Sequence, residues 1–443
     1  YPADDKFIAS IRAEAIDNVR RLRNHPCIAL WCGNNECQDV FYGWGNRKQY
    51  YEEKGVLPLL ESQFKNMYFK CLPEVVKEYG GGTAYRPSSP FAFEDTPSDG
   101  INGDAHYWGV WHGRDSIGHY NVERARFFSE YGFQSFPEFE SVKIYAPQER
   151  DWDINSEVMM AHQRAGSYAN NLIREYMNDE FVTPDNFEDF LYVGMILQGD
   201  AIKTAMEAHR RDMPYCMGTL VWQHNDCWPV ASWAGRDYYG RWKAQQYFAR
   251  NAYRDILVSP VVKGDTLSVN LVSDRRSDAR GKFHLRAMTL DGTTVWEKRM
   301  NTTAEALTSK KIFESDLKAM IGDRKKGDLI FTVTFETPGS EPYTNIAYAV
   351  RQKFMNYPAP DFNVEIARAP EADGYDVTIG SDVFARGVFL SLEGIDNFFS
   401  DNYFDILPGT SRKIHVKTGL DADNFKKQLK INSIGNTLTS KKI

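Results

Sequence analysis

No apolar run in the 443 residues approaches the roughly 18 to 20 consecutive residues that a membrane-spanning helix needs. No charged-then-apolar leader stands at the start, Tyr1 and Pro2, and that start carries no information on compartment. Cysteine is scarce as well. The 6 cysteines all fall at or before Cys227, too few for a disulfide scaffold in a chain of this size. Cys27, Cys32 and Cys37 are close in sequence, but no His joins them at zinc spacing. Cys27 and Cys32 lie in an apolar run, where a thiol behaves as a small hydrophobe. Neither a structural metal nor a cofactor is expected. Basic stripes are also lacking: 53 Lys and Arg are outnumbered by 60 Asp and Glu, giving a net charge of −7. Nothing in that balance could neutralise a phosphate backbone, so neither nucleic acid nor a membrane is an expected partner and small neutral ligands are favoured. Internal repeats and low-complexity tracts are absent too.

What the chain does have is apolar and aromatic content, with 42% hydrophobic residues and 10 Trp. That suffices for packed cores, and the length implies about two to four domains. The periodicity changes near residue 254. Before it, helical periodicity alternates with short apolar runs, the mark of βα units with parallel strands. After it, alternating runs such as Leu267 to Leu271 and Leu329 to Phe335 are separated by Gly, Asp and Ser turns, the mark of β-sandwiches. Pro358 and Pro360 suggest a linker between two sandwiches of immunoglobulin-like size. The expected architecture is therefore a multidomain α/β plus all-β chain. Residues 1–253 form the carboxy-terminal portion of a (β/α)8 TIM barrel, and two immunoglobulin-like β-sandwich domains follow at 254–356 and 357–443.

Within the first region, Phe7, Ile8, Ile11, Ala15, Val19 and Leu22 share one helical face, and Asp4 or Asp5 can cap it. Cys27 to Cys32 lacks polar alternation and is expected as a parallel strand buried on both faces, ending at Gly33-Asn34-Asn35-Glu36. Similar strand ends are expected at Thr83 to Arg86, Phe127 to Glu130 and Met217 to Trp222. Only about five strands can be found before residue 254, against eight in a complete barrel, so part of the barrel is expected to be missing.

Retaining glycoside hydrolysis needs two carboxyl groups about 5 to 5.5 Å apart, one to attack the anomeric carbon and one to protonate the leaving oxygen. Glu36 and Glu130 both stand at strand ends, where barrel catalysis sits. The neighbours Asn34 and Asn35 can bond a sugar hydroxyl. Trp108, Trp111, Trp222, Trp228 and Trp233 flank strand ends and offer faces for a sugar ring. Taken singly, each Glu reads as a surface or salt-bridge residue and each Trp as core. The pattern gains its meaning from the whole.

Two blocks carry a resemblance. RNHPCIALWCGNNE (Arg23 to Glu36) resembles the acid/base signature of glycoside hydrolase family 2, and ARFFSEYGFQSFP (Ala125 to Pro137) resembles that family's nucleophile segment. Four more are similar to the family's β-mannosidases: RPSSP (Arg86 to Pro90), GDAHYWGVWHG (Gly103 to Gly113), TLVWQHNDCWPVASWAGRDYYGRWKAQQYF (Thr219 to Phe248) and FFSDNYFDILPG (Phe398 to Gly409). The resemblance implies a retaining exo-glycosidase that removes terminal β-mannose, with Glu36 as acid/base and Glu130 as nucleophile. It implies Asn35 at the axial 2-hydroxyl, Trp222 as the aromatic wall of the −1 subsite, Trp108, Trp111 and His112 lining the pocket, and Trp228 beside the substrate. The partner implied is an oligosaccharide or glycoside. The resemblance further implies an upstream part of the same protein, needed to close the site, and a secreted, periplasmic or lysosomal rather than cytoplasmic setting. Exo-β-glucosaminidase, β-galactosidase, endo-acting mannosidase and a non-catalytic sugar-binding or structural fragment stay open as alternatives, as does a homodimer.

Overall fold

In the computed structural model, residues 3–369, 373–394 and 396–439 are described. Contacts divide them into two units. The first comprises 1–107, 123–131 and 215–220, and the second 108–122, 132–214 and 221–443.

The first unit opens with the helix Asp5–Leu22, capped by the Asp4 carboxylate, which accepts from the Phe7 amide at 2.8 Å. Of the apolar face anticipated for it, Val19 is buried, against Val75 and Val76 of the helix Leu72–Tyr79. Four short strands follow: β1 (Leu30–Cys32), β2 (Ala84–Arg86), β3 (Ala105–His106) and β4 (Phe128–Glu130). β1 pairs in parallel with β2, and β3 with β4. Two expectations are corrected here. β1 is shorter than Cys27 to Cys32 and is not buried on both faces: Leu30 is half exposed, and Cys27 and Cys32 are exposed. The reason is that, among the described residues, β1 has a strand neighbour on one side only. The second correction is Met217 to Trp222, which is not a strand. Only Thr219 pairs, in a single parallel bridge to Phe128, although backbone bonds from Met217 and Leu220 to Arg126 and Phe128 hold the segment along β4.

The second unit is built on the 25-residue helix Phe187–Arg211, buried along most of its length. Two antiparallel sandwiches pack in the same unit. In the first, a sheet in the order β11 (Thr344–Ala347), β10 (Leu329–Glu336), β7 (Ala279–Thr289), β8 (Thr294–Ala304) stands with a sheet of β5 (Ile256–Lys263), β6 (Thr266–Ser273) and β9 (Thr308–Asp316). Alternate inward residues such as Leu267, Val269, Leu271, Phe283, Leu285 and Val333 form its core. The second has β12 (Asn363–Arg368), β13 (Tyr375–Ser381), β17 (Thr410–Lys417) and β15 (Phe398–Phe399) in one sheet. Its other sheet is β16 (Phe404–Ile406), β14 (Ala385–Ser391) and β18 (Lys430–Asn432). Tyr375, Val377, Ile379, Val388 and Leu390 are central to that core. The long helix locks onto the second sandwich by specific contacts. The Tyr192 hydroxyl donates to the Gly387 carbonyl at 2.6 Å, and buried Arg386 bridges Asp200 of the helix and Asp405.

Candidate active site

The site forms at the ends of the four short strands in the first unit. β1 stops at Gly33 because the chain passes so close to its neighbours there that a Cβ would lie 2.3 Å from the Tyr85 hydroxyl and 2.6 Å from the Pro87 carbonyl. The next residue, Asn34, organises the loop. Its side chain donates to the Pro87 carbonyl at 2.7 Å and accepts from the Cys37 amide at 2.9 Å and the Ser88 hydroxyl at 2.7 Å. The main chain continues alongside the segment after β2: Ser89 donates to the Asn34 carbonyl at 3.0 Å, and Glu36 to the Ser89 carbonyl at 2.7 Å. These bonds hold Glu36 at φ 58, a left-handed conformation that costs a non-glycine residue on the order of 1 kcal/mol or more. Such a geometry persists only where its surroundings over-determine it.

The parallel pairing of β3 with β4 sets His106 beside Glu130. His106 Nδ1 lies 2.8 Å from Glu36 Oε1 and 3.7 Å from Glu130 Oε2. The ligand atoms of all three residues are within 4.8 Å of one another. One oxygen of each carboxyl group thus lies within 4.8 Å of one from the other, close enough for both carboxyls to act on one bound group. All three side chains are largely shielded, with 18% of Glu36, 10% of Glu130 and 5% of His106 accessible. The same three donors are also a group that could hold a metal ion.

Behind His106 lies a polar chain. Its Nε2 is 3.1 Å from Ser89 Oγ. The hydroxyls of Ser89 and Ser129 each donate to Asp104 Oδ2 at 2.6 Å, and the Phe91 amide donates to Asp104 Oδ1 at 2.8 Å.

Sequence reasoning named Glu36 and Glu130, and the fold brings them together; it overlooked His106, Ser89, Asp104 and Ser129. A signal was present, because Asp104 and His106 stand two apart in an extended segment and so share a face. Asn35 is exposed beside Glu36 and bridges to Ser89 through its backbone. The tryptophans belong to the second unit. Trp222 and Trp228 keep 38% and 36% of their surface exposed, Trp228 leaning on the His162 ring. Trp108 is half-buried against Trp233 and His112, and exposed His112 meets the Tyr168 hydroxyl at 3.1 Å. Trp111 is a correction. Its indole is fully buried among Phe133, Tyr176 and Trp233, so it serves packing and presents no face to a sugar.

Comparison with known proteins follows the same lines. Residues 265–353 match the model of the mannosidase Ig/CBM-like domain, and residues 358–437 match the Ig-fold domain of mannosidases. Beta-mannosidase B of Aspergillus clavatus is 35% identical over 94% of this chain and 51% of its own length. The crystal structure of the beta-D-mannosidase of Dictyoglomus thermophilum superposes with a TM-score of 0.83 at 30% identity, covering 98% of this chain and 51% of that one. The chain belongs with the carboxy-terminal part of the family 2 β-mannosidases. It spans about half the length of the curated relatives it matches. The exo-chitosanase of Amycolatopsis orientalis, at 12% identity and a TM-score of 0.68 over 98% of this chain and 54% of its own, shares the fold alone. Immunoglobulin-like domains beside mixed helix and sheet are thus common to this chain and the β-mannosidase family.

Proposed function

We propose that this chain carries the two catalytic carboxylates of a retaining exo-β-mannosidase. The observation behind the reading is the approach of Glu36 and Glu130, through His106, to within 4.8 Å, in a chain whose relatives bear the name β-mannosidase. In the first step Glu130 attacks the anomeric carbon while Glu36 protonates the departing oxygen. In the second, Glu36 takes a proton from water as that water displaces Glu130. Each carboxyl thus meets the sugar from its own side, and the two inversions leave a β-configured product. Asn35, exposed next to Glu36, is assigned to the 2-hydroxyl, where hydrogen bonds strengthen as the oxocarbenium-like state develops. Trp222, Trp228 and Trp108 are assigned to sugar stacking and His112 to a polar contact.

The same reading takes β1 to β4, with the Thr219 segment, as part of a (β/α)8 barrel. The parallel pairings and the carboxylates at strand ends favour it. It divides the chain into barrel (1–253) and sandwiches (254–356 and 357–443). The test is the configuration of the first-formed sugar when the full-length protein cleaves para-nitrophenyl β-mannoside, followed by NMR. β-Mannose appearing before its α anomer is the expected result. An α product, or no turnover, would overturn the assignment.

A further inference from the structure

Resting on that reading of Glu36 and Glu130, we infer that His106 is a positioning residue that keeps a proton loaded at Glu36, and that Asp104, acting through Ser89, sets the ring tautomer that makes this work. Asp104 receives Ser89 Oγ, Ser129 Oγ and the Phe91 amide, and a carboxyl group surrounded by donors serves as acceptor only. The single proton of the Ser89 hydroxyl is committed to Asp104 at 2.6 Å, so the face of Ser89 Oγ toward His106 is a lone pair. Nε2, 3.1 Å away, must then carry a hydrogen. A neutral imidazole with hydrogen on Nε2 has a bare Nδ1, and Nδ1 is the atom 2.8 Å from Glu36 Oε1. Two bare acceptors cannot sit at that distance. A proton therefore lies between them, either on Glu36 facing neutral His106 or on Nδ1 facing ionised Glu36. Both forms hold one proton on the Glu36–His106 pair.

Glu36, after β1, and Glu130, at the end of β4, face Nδ1 at 2.8 and 3.7 Å, while Asp104 of the segment entering β3 faces Nε2 across Ser89, which comes from the segment after β2. Three carboxyl groups thus surround one imidazole. The ring is only 5% accessible, so water competes little for it. When the proton leaves with the aglycone oxygen, His106 and the newly ionised Glu36 remain as the pair that accepts the proton of the attacking water. No atom is gained or lost over the cycle.

The test compares leaving groups in the full-length protein. Dinitrophenyl β-mannoside needs little protonation and methyl β-mannoside needs it fully, and kcat/KM reports the step in which Glu36 acts as acid. His106→Ala should lower kcat/KM for the methyl glycoside by about 100-fold or more while lowering that for the dinitrophenyl glycoside by less than about 5-fold. Ser89→Ala, a smaller change at a side chain that does not meet Glu36, should show the same selectivity for the methyl glycoside with a smaller loss. Equal losses on both substrates in both variants would mean that His106 only fills space and would overturn the inference. The parent reading is checked apart from it with Glu130→Ala. Abolished turnover of both substrates leaves that reading standing whatever His106 does, whereas retained turnover overturns the reading and the inference with it.

Discussion

His106 Nδ1 lies 2.8 Å from Glu36 Oε1, although the two residues are 70 positions apart in the chain, His106 in β3 and Glu36 in the loop after β1. The contact depends on two independent local structures. One is the Asn34-organised turn that swings Glu36 into a left-handed conformation. The other is the pairing of β3 with β4, which aligns His106 with Glu130. Each supplies a way to disturb the carboxyl pair without touching either carboxylate.

Removal of the carboxylates themselves should separate the two chemical roles. Glu36→Ala should lower kcat/KM for poorly activated β-mannosides by about 10²- to 10⁴-fold, the range of general acid catalysis, and spare the dinitrophenyl substrate. Added azide should restore turnover through β-mannosyl azide, detectable by NMR. An α-mannosyl azide would contradict the double displacement.

Asn34→Ala should loosen the loop that carries Glu36. Three hydrogen bonds of 2.7 to 2.9 Å are lost at a half-buried position, at roughly 0.5 to 1.5 kcal/mol net for each, so a destabilisation of about 2 to 3 kcal/mol is expected. Denaturant unfolding measures it. Turnover should fall as well, with kcat reduced more than substrate binding, since Glu36 rather than the sugar contacts loses its support.

Arg386→Met should weaken the seam between the long helix and the second sandwich. The Arg386 guanidinium is 6% accessible and holds Asp200 at 2.6 Å and Asp405 at 3.2 Å. Removing one partner of a buried ionic set leaves uncompensated charge and costs about 3 to 5 kcal/mol. A fall of that size in unfolding free energy is the expected outcome, and a loss below about 1 kcal/mol would show that the two carboxylates find solvent instead.

Stability should decline in mild acid because of His209. Burial, and after it the Arg211 cation, push its imidazole down from 6.5 to about 3, and its ring is packed against Tyr120. Between pH 6.5 and about 3 the unfolded chain binds a proton at this position that the folded chain does not. Its contribution is therefore complete above pH 6.5 and is lost as the pH falls toward 3. Unfolding free energy measured between pH 7 and 5 should drop, by up to about 1.4 kcal/mol per pH unit, and His209→Gln should flatten that slope.

Much of this protein follows from local pattern. The Asp4-capped first helix, the alternating strands of the sandwiches beyond residue 254, and the positions of Glu36 and Glu130 at strand ends depend on spacing along the chain. Spacing is a property a sequence carries by itself. Trp111 and His106 mark where that ends. An indole next to a strand end reads alike whether it faces a sugar or Phe133 and Tyr176, because exposure depends on what other segments bring to it. Composition marks Cys27 to Cys32 as a doubly buried strand, yet burial depends on neighbours, and among the described residues β1 has one on a single side. The relay from Asp104 to Glu36 joins three segments, at Glu36, at Ser89 and at Asp104 to His106, that lie apart in the chain. Only the closure of the parallel pairs, which brings those segments within hydrogen-bond reach, decided that it exists.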